Sequence, residues 1–221
     1  PIGDKVIYAV PGVPYEMREM MEHFILPNLQ ERSGERTVIR SRVLRTWGNS
    51  ESGLAEVLAD RIDQLDKIGS PTLAFLASGI EGIKVRITAK ANEEAAAFDI
   101  LAKEETLLRE LLGDIVFGVD DETIETVVLD KLRAKNMTLT VGESLTGGVM
   151  SSRLSSVDPE MNIFKGAIIS DGPPRGRIGM DRAISAARHA HEIYGTDVSV
   201  AAVAPDPSES QPRGTVYLGI I

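Results

Sequence analysis

Residues 138–149 read TLTVGESLTGGV, and the way this stretch is punctuated decides the fold. An apolar, β-branched run (Thr138, Leu139, Thr140, Val141) breaks at Gly142. A polar turn follows (Glu143, Ser144, Leu145, Thr146), then Gly147-Gly148, then a segment with helical patterning from Val149. Strand, glycine-bearing turn and helix start in that order are the unit of a layered α/β domain. Ligands favour such turns, because the first helical turn leaves backbone N–H groups without intrahelical partners. Paired glycines let a ligand approach the backbone closely, and Ser144 and Thr146 place hydroxyls beside the amides. Local chemistry equally admits a plain N-cap on a plain turn.

Working outward, Asp120 or Asp121 is placed to cap a helix running to Lys135, with Ile124, Val127, Val128 and Leu132 as its buried stripe. After the opening stretch come a helix to Leu154, a strand Ile163–Ile169, a Gly/Pro-rich loop Asp171–Met180, a helix Ala183–Tyr194 and a strand Asp197–Ala204. A polar loop Pro205–Arg213 leads to a final strand Gly214–Ile221. The order α-β-α-β-α-β-β predicts a three-layer α/β domain with a mixed sheet over 120–221. If the strand order brings the polar loop beside Gly147-Gly148, Ser208, Arg213 and Thr215 face the same ligand.

Before it, residues 35–119 form a second pattern. A strand Val38–Trp47 meets a turn in which Ser50 is a helix cap, and a helix Glu51–Asp63 carries Leu54, Val57, Leu58 and Ile62 on one face. A strand Thr72–Ala77, a turn Gly79–Gly82 and an alternating strand Ile83–Thr88 follow. Asn92 caps a long helix to Leu112, and Asp114–Val119 closes a β-α-β-β-α-β unit of α+β class. Residues 1–34 read differently. Val6–Val10 predicts a buried strand, Pro11-Gly12 a turn, and Met17, Met20, Met21, Phe24 and Ile25 one face of a helix ended by Pro27. This is too short to fold alone, so it reads as the closing piece of a domain, and the chain, beginning at Pro1 rather than Met, as a processed product or a fragment.

Composition bounds the function classes. The 221 residues are 43% hydrophobic, enough for true cores. A net charge of −9 argues against bulk attraction to nucleic acid or anionic lipid. There is no cysteine, hence no thiol nucleophile, disulfide or Cys-based metal site. No apolar run of about 18 residues and no signal peptide is present, and the chain reads as cytoplasmic. His189 and His191 lack carboxylates at ligand spacing, so no metal is expected.

Three further stretches carry candidate chemistry. Gly79-Ile80-Glu81-Gly82 has the G-x-x-G form of a nucleic-acid clamp, yet it carries an acid and joins two predicted strands, so it reads as a hairpin turn. Pro11-Gly12-Val13-Pro14 suits a rigid strand-to-helix turn or a phosphate loop. Arg40, Arg42 and Arg45 with Trp47 form a basic-aromatic cluster, suited to packing, to an interdomain contact or to an anion.

Taken in order, Glu143-Ser144-Leu145-Thr146-Gly147-Gly148, Gly166-Ala167, the helix around Ser185–Tyr194 and Pro212-Arg213-Gly214-Thr215-Val216 resemble the C-terminal domain of the CinA (competence/damage-inducible) family. Trp47-Gly48-Asn49-Ser50-Glu51 and Gly113-Asp114-Ile115-Val116-Phe117-Gly118 resemble the limits of its KH-like middle domain, and Pro11–Met17 the end of a molybdopterin-biosynthesis-like domain. The resemblance implies domains at 1–34, 35–119 and 120–221. It implies a nicotinamide mononucleotide (NMN) amidohydrolase acting in pyridine-nucleotide salvage, with ADP-ribose pyrophosphatase activity in the amino-terminal domain of long members. It also implies a homodimer and no cofactor. Carried over by position, Ser144 and Thr146 are the catalytic candidates, with Gly147 and Gly148 on one wall of the nucleotide pocket and Gly214 and Thr215 on the other.

The family pattern also has a serine before the strand and a Tyr and a Lys in the loop after it. Aligned on Gly166, the Tyr falls at Ser170, the Lys at about Arg175, and the serine near Glu160 or Met161. Arginine cannot replace lysine as a base at neutral pH. Position 145 is Leu in place of Cys, the T-G-x-A-G-P loop reads Val200–Pro205, and the segment between Ile169 and Ile184 is short. The alternative is therefore a nucleotide-binding or assembly protein that has lost catalysis.

Overall fold

The structure, a computed structural model, describes residues 5–34, 37–77, 79–170, 179–206 and 208–221. The chain divides into two units, Pro1–Val116 and Phe117–Ile221. In the first, Pro27 sits inside a helical stretch rather than ending it. Helix α1 (Pro14–Met20) passes through a π-helical turn, Met21–Ile25, into α2 (Leu26–Ser33), which stops at Gly34 in the left-handed region (φ 65°). A proline lacks the N–H and crowds the carbonyl four residues back. The wider turn, in which Leu26 N–H donates to Met21 C=O, accommodates it. Only a narrow stripe of this helix is covered. Ile25 is buried and Met17 and Met21 are half-buried, while Met20 and Phe24 (73% exposed) face outward. Val6–Val10, expected to be a buried strand, has no regular secondary structure beyond a single bridge at Lys5, and Ile7 is exposed.

The rest of this unit follows the expected order: β1 (Val38–Thr46), α3 (Glu51–Val57), α4 (Ala59–Ile68), β2 (Thr72–Ala77), β3 (Ile83–Ala91) and α5 (Glu94–Leu112), and β4 (Val116–Val119) starts at its last residue. The sheet order is β2-β3-β1-β4, with β1 and β2 antiparallel to β3. Ser50 caps α3 by accepting from Gly53 N–H (3.1 Å). The predicted single helix breaks at Leu58 (φ −99°, ψ 5°), which turns Val57 outward and hands its place in the core to Leu65. Asn92 is not the cap of α5; Glu93 is, without a side-chain bond. Leu44, Leu54, Leu58, Leu65, Val85, Ile87, Leu101 and Leu108 form the core.

The second unit contains α6 (Ile124–Ala134), β5 (Leu139–Glu143), α7 (Val149–Val157), β6 (Phe164–Ile169), α8 (Gly179–Tyr194), β7 (Val198–Val203) and β8 (Tyr217–Ile220). Helix α6 starts later than expected. Thr123, not Asp120 or Asp121, caps it in a reciprocal bond pair with Thr126. Leu129 and Leu132 pack into the core, whereas Ile124 and Val128 are partly exposed. The sheet order is β6-β5-β7-β8, with β5 parallel to β6 and β7, and β8 antiparallel to β7.

All five β5 residues are buried, as a central strand covered on both faces requires. On one face Leu139 and Val141 pack with Phe164, Leu129 of α6 and Leu154 of α7. On the other, α8 lies close through Ala183, Ala187 and Ala190, and Ser199 Oγ donates to Ala187 C=O at 2.7 Å. The unit is thus three-layered with a mixed sheet. Gly219 sits where α8 presses hardest: a Cβ there would stand 2.4 Å from the carbonyl carbon of Ala183 and 2.8 Å from Ile184 N. Gly219→Ala is therefore expected to cost about 1–3 kcal/mol by lifting α8 off β8, measured as a lower urea midpoint.

Candidate functional site

The C-terminal ends of β6, β5 and β7 and the start of β8 lie on one edge of the second sheet, with Glu143 opposite Ile169 and Ala202 and Val203 opposite Tyr217. Hydrogen bonds continue past the strand ends. Ser170 N–H donates to Glu143 C=O (3.0 Å), and Ser144 N–H to Ala202 C=O (3.1 Å). Ala204 N–H donates to Ser144 Oγ at 3.4 Å.

Sequence reading placed Glu143 in the turn, but it is the last residue of β5 and only 2% exposed. Its carboxylate accepts from Gly148 N–H (3.1 Å), Met150 N–H (3.1 Å), Ser151 N–H (2.8 Å) and the Thr146 hydroxyl. Burial by itself would raise its pKa; the Thr146 and Ser151 donors and the Met150 amide together outweigh that and hold it below the usual carboxylate range. The helix N-terminus expected to offer free N–H groups is therefore filled by the chain's own anion. The signal was present in the sequence, as an acid three residues before a threonine and just ahead of a helix start.

A census of the turn shows what is left. Val149 N–H donates to Thr146 C=O and Ser152 N–H to Gly148 C=O. The amides of Leu145, Thr146 and Gly147 have no acceptor among the described residues. Gly147 (φ 60°) and Gly148 (φ 100°) are both in the left-handed region that favours glycine. Nothing stands within 4 Å of a Cβ placed on Gly147, whereas one on Gly148 would come 3.0 Å from Ile169 Cδ1.

Gly214 (φ 87°) and Thr215 belong to a turn in which Thr215 N–H (3.2 Å) and Oγ1 (2.8 Å) donate to Pro212 C=O. This turn enters β8 on the same sheet edge, two strands from β5, which is about 10 Å at the usual strand spacing. The two turns lie on the same sheet edge, two strands apart. Ser208 is tied to Asp206 through its amide and hydroxyl.

The intervening loop is held by groups that sequence reading missed. Glu209 accepts from the Asp206 and Gly179 amides and from the Tyr217 hydroxyl, and Arg182 Nη1 donates to Asp206 at 3.0 Å. These donors keep the Glu209 carboxylate low, and Glu209 in turn raises the Tyr217 hydroxyl. Ser170 sits beside β5, whereas Arg175 lies outside the described residues.

The remaining sequence candidates lie in the first unit. Gly79–Glu81 is a 3-10 turn between β2 and β3, and Glu81 pairs with Arg45 (2.8 Å). Arg40 pairs with Glu94 (2.6 Å) and Arg42 with Glu105 (3.2 Å), so each arginine of the basic cluster faces a carboxylate. Pro14 opens α1, and Val13 before it makes no side-chain cap. Among the described residues no group of three or more acids and histidines is placed to hold a metal, and no helix is long and apolar enough to cross a membrane.

Comparison with known proteins follows the same division. Residues 41–118 match the family model for the KH domain of damage-inducible protein CinA, and residues 121–170 that for the CinA C-terminal domain. The chain is 39% identical over 237 positions to a CinA-like protein of Frankia casuarinae, covering 99% of this chain and 54% of that one. It is 31% identical to one of Nostoc punctiforme (97% and 55%) and 32% identical to one of Acaryochloris marina (100% and 56%). The chain spans about half the length of the curated relatives it matches. The alignments run over more positions than this chain's 221 residues, so the relatives carry residues inside the matched span that this chain lacks.

Proposed function

The chain belongs to the CinA family, and from that premise we propose that its C-terminal unit binds a nicotinamide nucleotide and hydrolyses its carboxamide to a carboxylate and ammonia. The observation that carries the reading is the row of unengaged amides at Leu145, Thr146 and Gly147 beside the Ser144 hydroxyl. Amide hydrolysis needs donors aimed at the oxygen on which negative charge develops, and this row supplies them without moving any bond of the fold. Ser144 Oγ accepts from Ala204 N–H, leaving its own proton for the ligand. Thr146 gives its proton to Glu143, so its oxygen serves only as an acceptor. The Gly148 amide, engaged by Glu143, shapes the wall rather than polarising the substrate. Gly214 and Thr215 form the opposite wall.

Incubation with NMN is expected to release ammonia and nicotinic acid mononucleotide in equal amounts. Ser144→Ala is expected to lower kcat/KM by about 10²-fold, the scale of losing one donor to the reacting oxygen. Failure of the wild type to turn over at high enzyme concentration overturns the hydrolase reading.

A second reading, a nucleotide-binding or assembly domain without catalysis, is favoured by Ser170 standing where the family pattern has Tyr. It predicts that NMN raises the melting temperature without release of ammonia. On the same premise we read residues 1–34 as the end of a molybdopterin-biosynthesis-like domain, 35–119 as the KH-like domain and 120–221 as the amidohydrolase-like domain. The ADP-ribose pyrophosphatase activity belongs, on this reading, to the longer members' amino-terminal domain. The protein is proposed to be cytoplasmic and to form a homodimer, which sedimentation resolves.

A further inference from the structure

We propose that the sheet face of the first unit turned away from α5 binds single-stranded nucleic acid, its cations meeting phosphates and Trp47 stacking on a base. Strand alternation divides the side chains of β1 and β3 between two faces. Arg40, Arg42 and Leu44 stand opposite Ala89, Ile87 and Val85 on the face that α5 covers, where Glu94 and Glu105 of α5 take the two arginines. The other face carries Ser41, Val43 and Arg45 on β1, opposite Thr88, Arg86 and Lys84 on β3. Lys90, opposite Ile39, extends it at the far end. Arg86, Lys90 and Ser41 are exposed.

Along β3, Lys84, Arg86 and Lys90 therefore share one side at multiples of two residues, about 7 Å per step. An extended polynucleotide presents its phosphates at a similar interval. Glu81 lies between Arg45 (2.8 Å) and Lys84 (3.6 Å), so these two cations outnumber the acid they share. The Ser41 and Thr88 hydroxyls, bonded to each other at 3.1 Å, add neutral groups suited to phosphate and sugar oxygens. Trp47, the chain's only tryptophan, follows β1 at the Arg45–Lys84 end. Its amide donates to Ile115 C=O (2.9 Å), and its ring lies against Gly82, where a Cβ would come 3.1 Å from Cε3. The indole is thus held in place yet 51% exposed. Together with Gly48, Asn49 and Gly82 it borders a cavity of about 460 Å³, room for a base. An acidic polypeptide would satisfy the cations alone; a polynucleotide brings a planar ring with each charge, which the tryptophan and cations together match. The net charge of −9 is no obstacle at this range. With a Debye length of about 8 Å at physiological salt, a phosphate on the sheet responds to the charges of that face.

Anisotropy of a labelled single-stranded oligo(dT) of about 12 nucleotides, a length such sites span, tests this on the whole chain, with Trp47 emission read alongside. Binding is expected to quench that emission and to weaken with salt, log K falling by about 0.7 per phosphate contact for each unit of log salt. The double variant Arg86→Glu/Lys90→Glu, confirmed folded by circular dichroism, is expected to bind about tenfold or more weaker with a flatter salt slope. Trp47→Ala is expected to lose about tenfold with the slope unchanged. If either variant does not fold, the wild-type quenching and salt slope decide. Absence of binding at low salt, binding without quenching, or unchanged affinity in the folded charge variant overturns the proposal. Equal affinity for duplex DNA overturns it too. So does competition by poly-glutamate as strong as that by unlabelled oligo(dT), which assigns the face to an acidic protein segment. None of these results bears on NMN turnover by the second unit, which is measured separately.

Discussion

Glu143→Ala is expected to destabilise the C-terminal unit by about 3–5 kcal/mol, the range for removing one partner from a buried charged network. Four donors lose their acceptor at once, namely the Thr146 hydroxyl and the amides of Gly148, Met150 and Ser151. The site is 2% exposed, so water enters only after the strand end moves. Glu143→Gln keeps one acceptor oxygen but points an NH₂ at donors, and is expected to cost about half as much. Urea unfolding followed by far-UV circular dichroism measures both.

The acid dependence has a definite sign. The folded-state pKa of Glu143 is depressed, so its contribution is present above the ordinary glutamate value of about 4.3 and is lost as pH falls through the lower folded value. Wild type should therefore lose stability below about pH 4 more steeply than Glu143→Gln. Parallel slopes in the two proteins would rule out Glu143 as the titrating group.

Glu104→Ala is expected to have an effect of the same size on the KH-like unit, about 3–5 kcal/mol. Glu104 lies 3% exposed in the middle of α5 and takes both Nε (2.9 Å) and Nη2 of Arg61 from α4, whose Nη1 continues to Gln64 (2.9 Å). Removing the acid strands a guanidinium that is itself largely covered. The double variant Arg61→Met/Glu104→Leu replaces charge by apolar volume and is expected to recover most of the loss, since well-packed replacements of buried pairs are often near neutral. If the double variant is no more stable than Glu104→Ala, the pair holds the helices by more than mutual compensation.

Both residues show where sequence reading reaches its limit. Element order was legible throughout the β-α-β-β-α-β and α-β-α-β-α-β-β patterns, because alternation and helical spacing are local properties of the chain. Boundaries were less so. Thr123 rather than Asp120 or Asp121 caps α6, a choice made by the reciprocal bond with Thr126. Pro27 was read as a helix end, yet a π-helical turn carries the helix past it. Val57 was read as core, yet a break at Leu58 turns it outward.

The opening stretch shows the same division within a few residues. Its sequence alone determined a strand, a glycine turn and a helix start, since β-branched residues, adjacent glycines and polar punctuation leave the backbone few alternatives. Its hydroxyls and glycines also marked it as the place to look for a ligand. Which amides remain available was decided only in three dimensions. Five buried residues of β5 carry Glu143 to the end of a central strand, and the reversal at Gly147-Gly148 folds α7 back onto that carboxylate. The strand order then sets the Thr215 turn on the same edge, two strands away. Hydrogen-bond satisfaction and strand order are properties of the whole domain, because a donor is engaged or left open according to what the rest of the chain brings within about 3 Å of it.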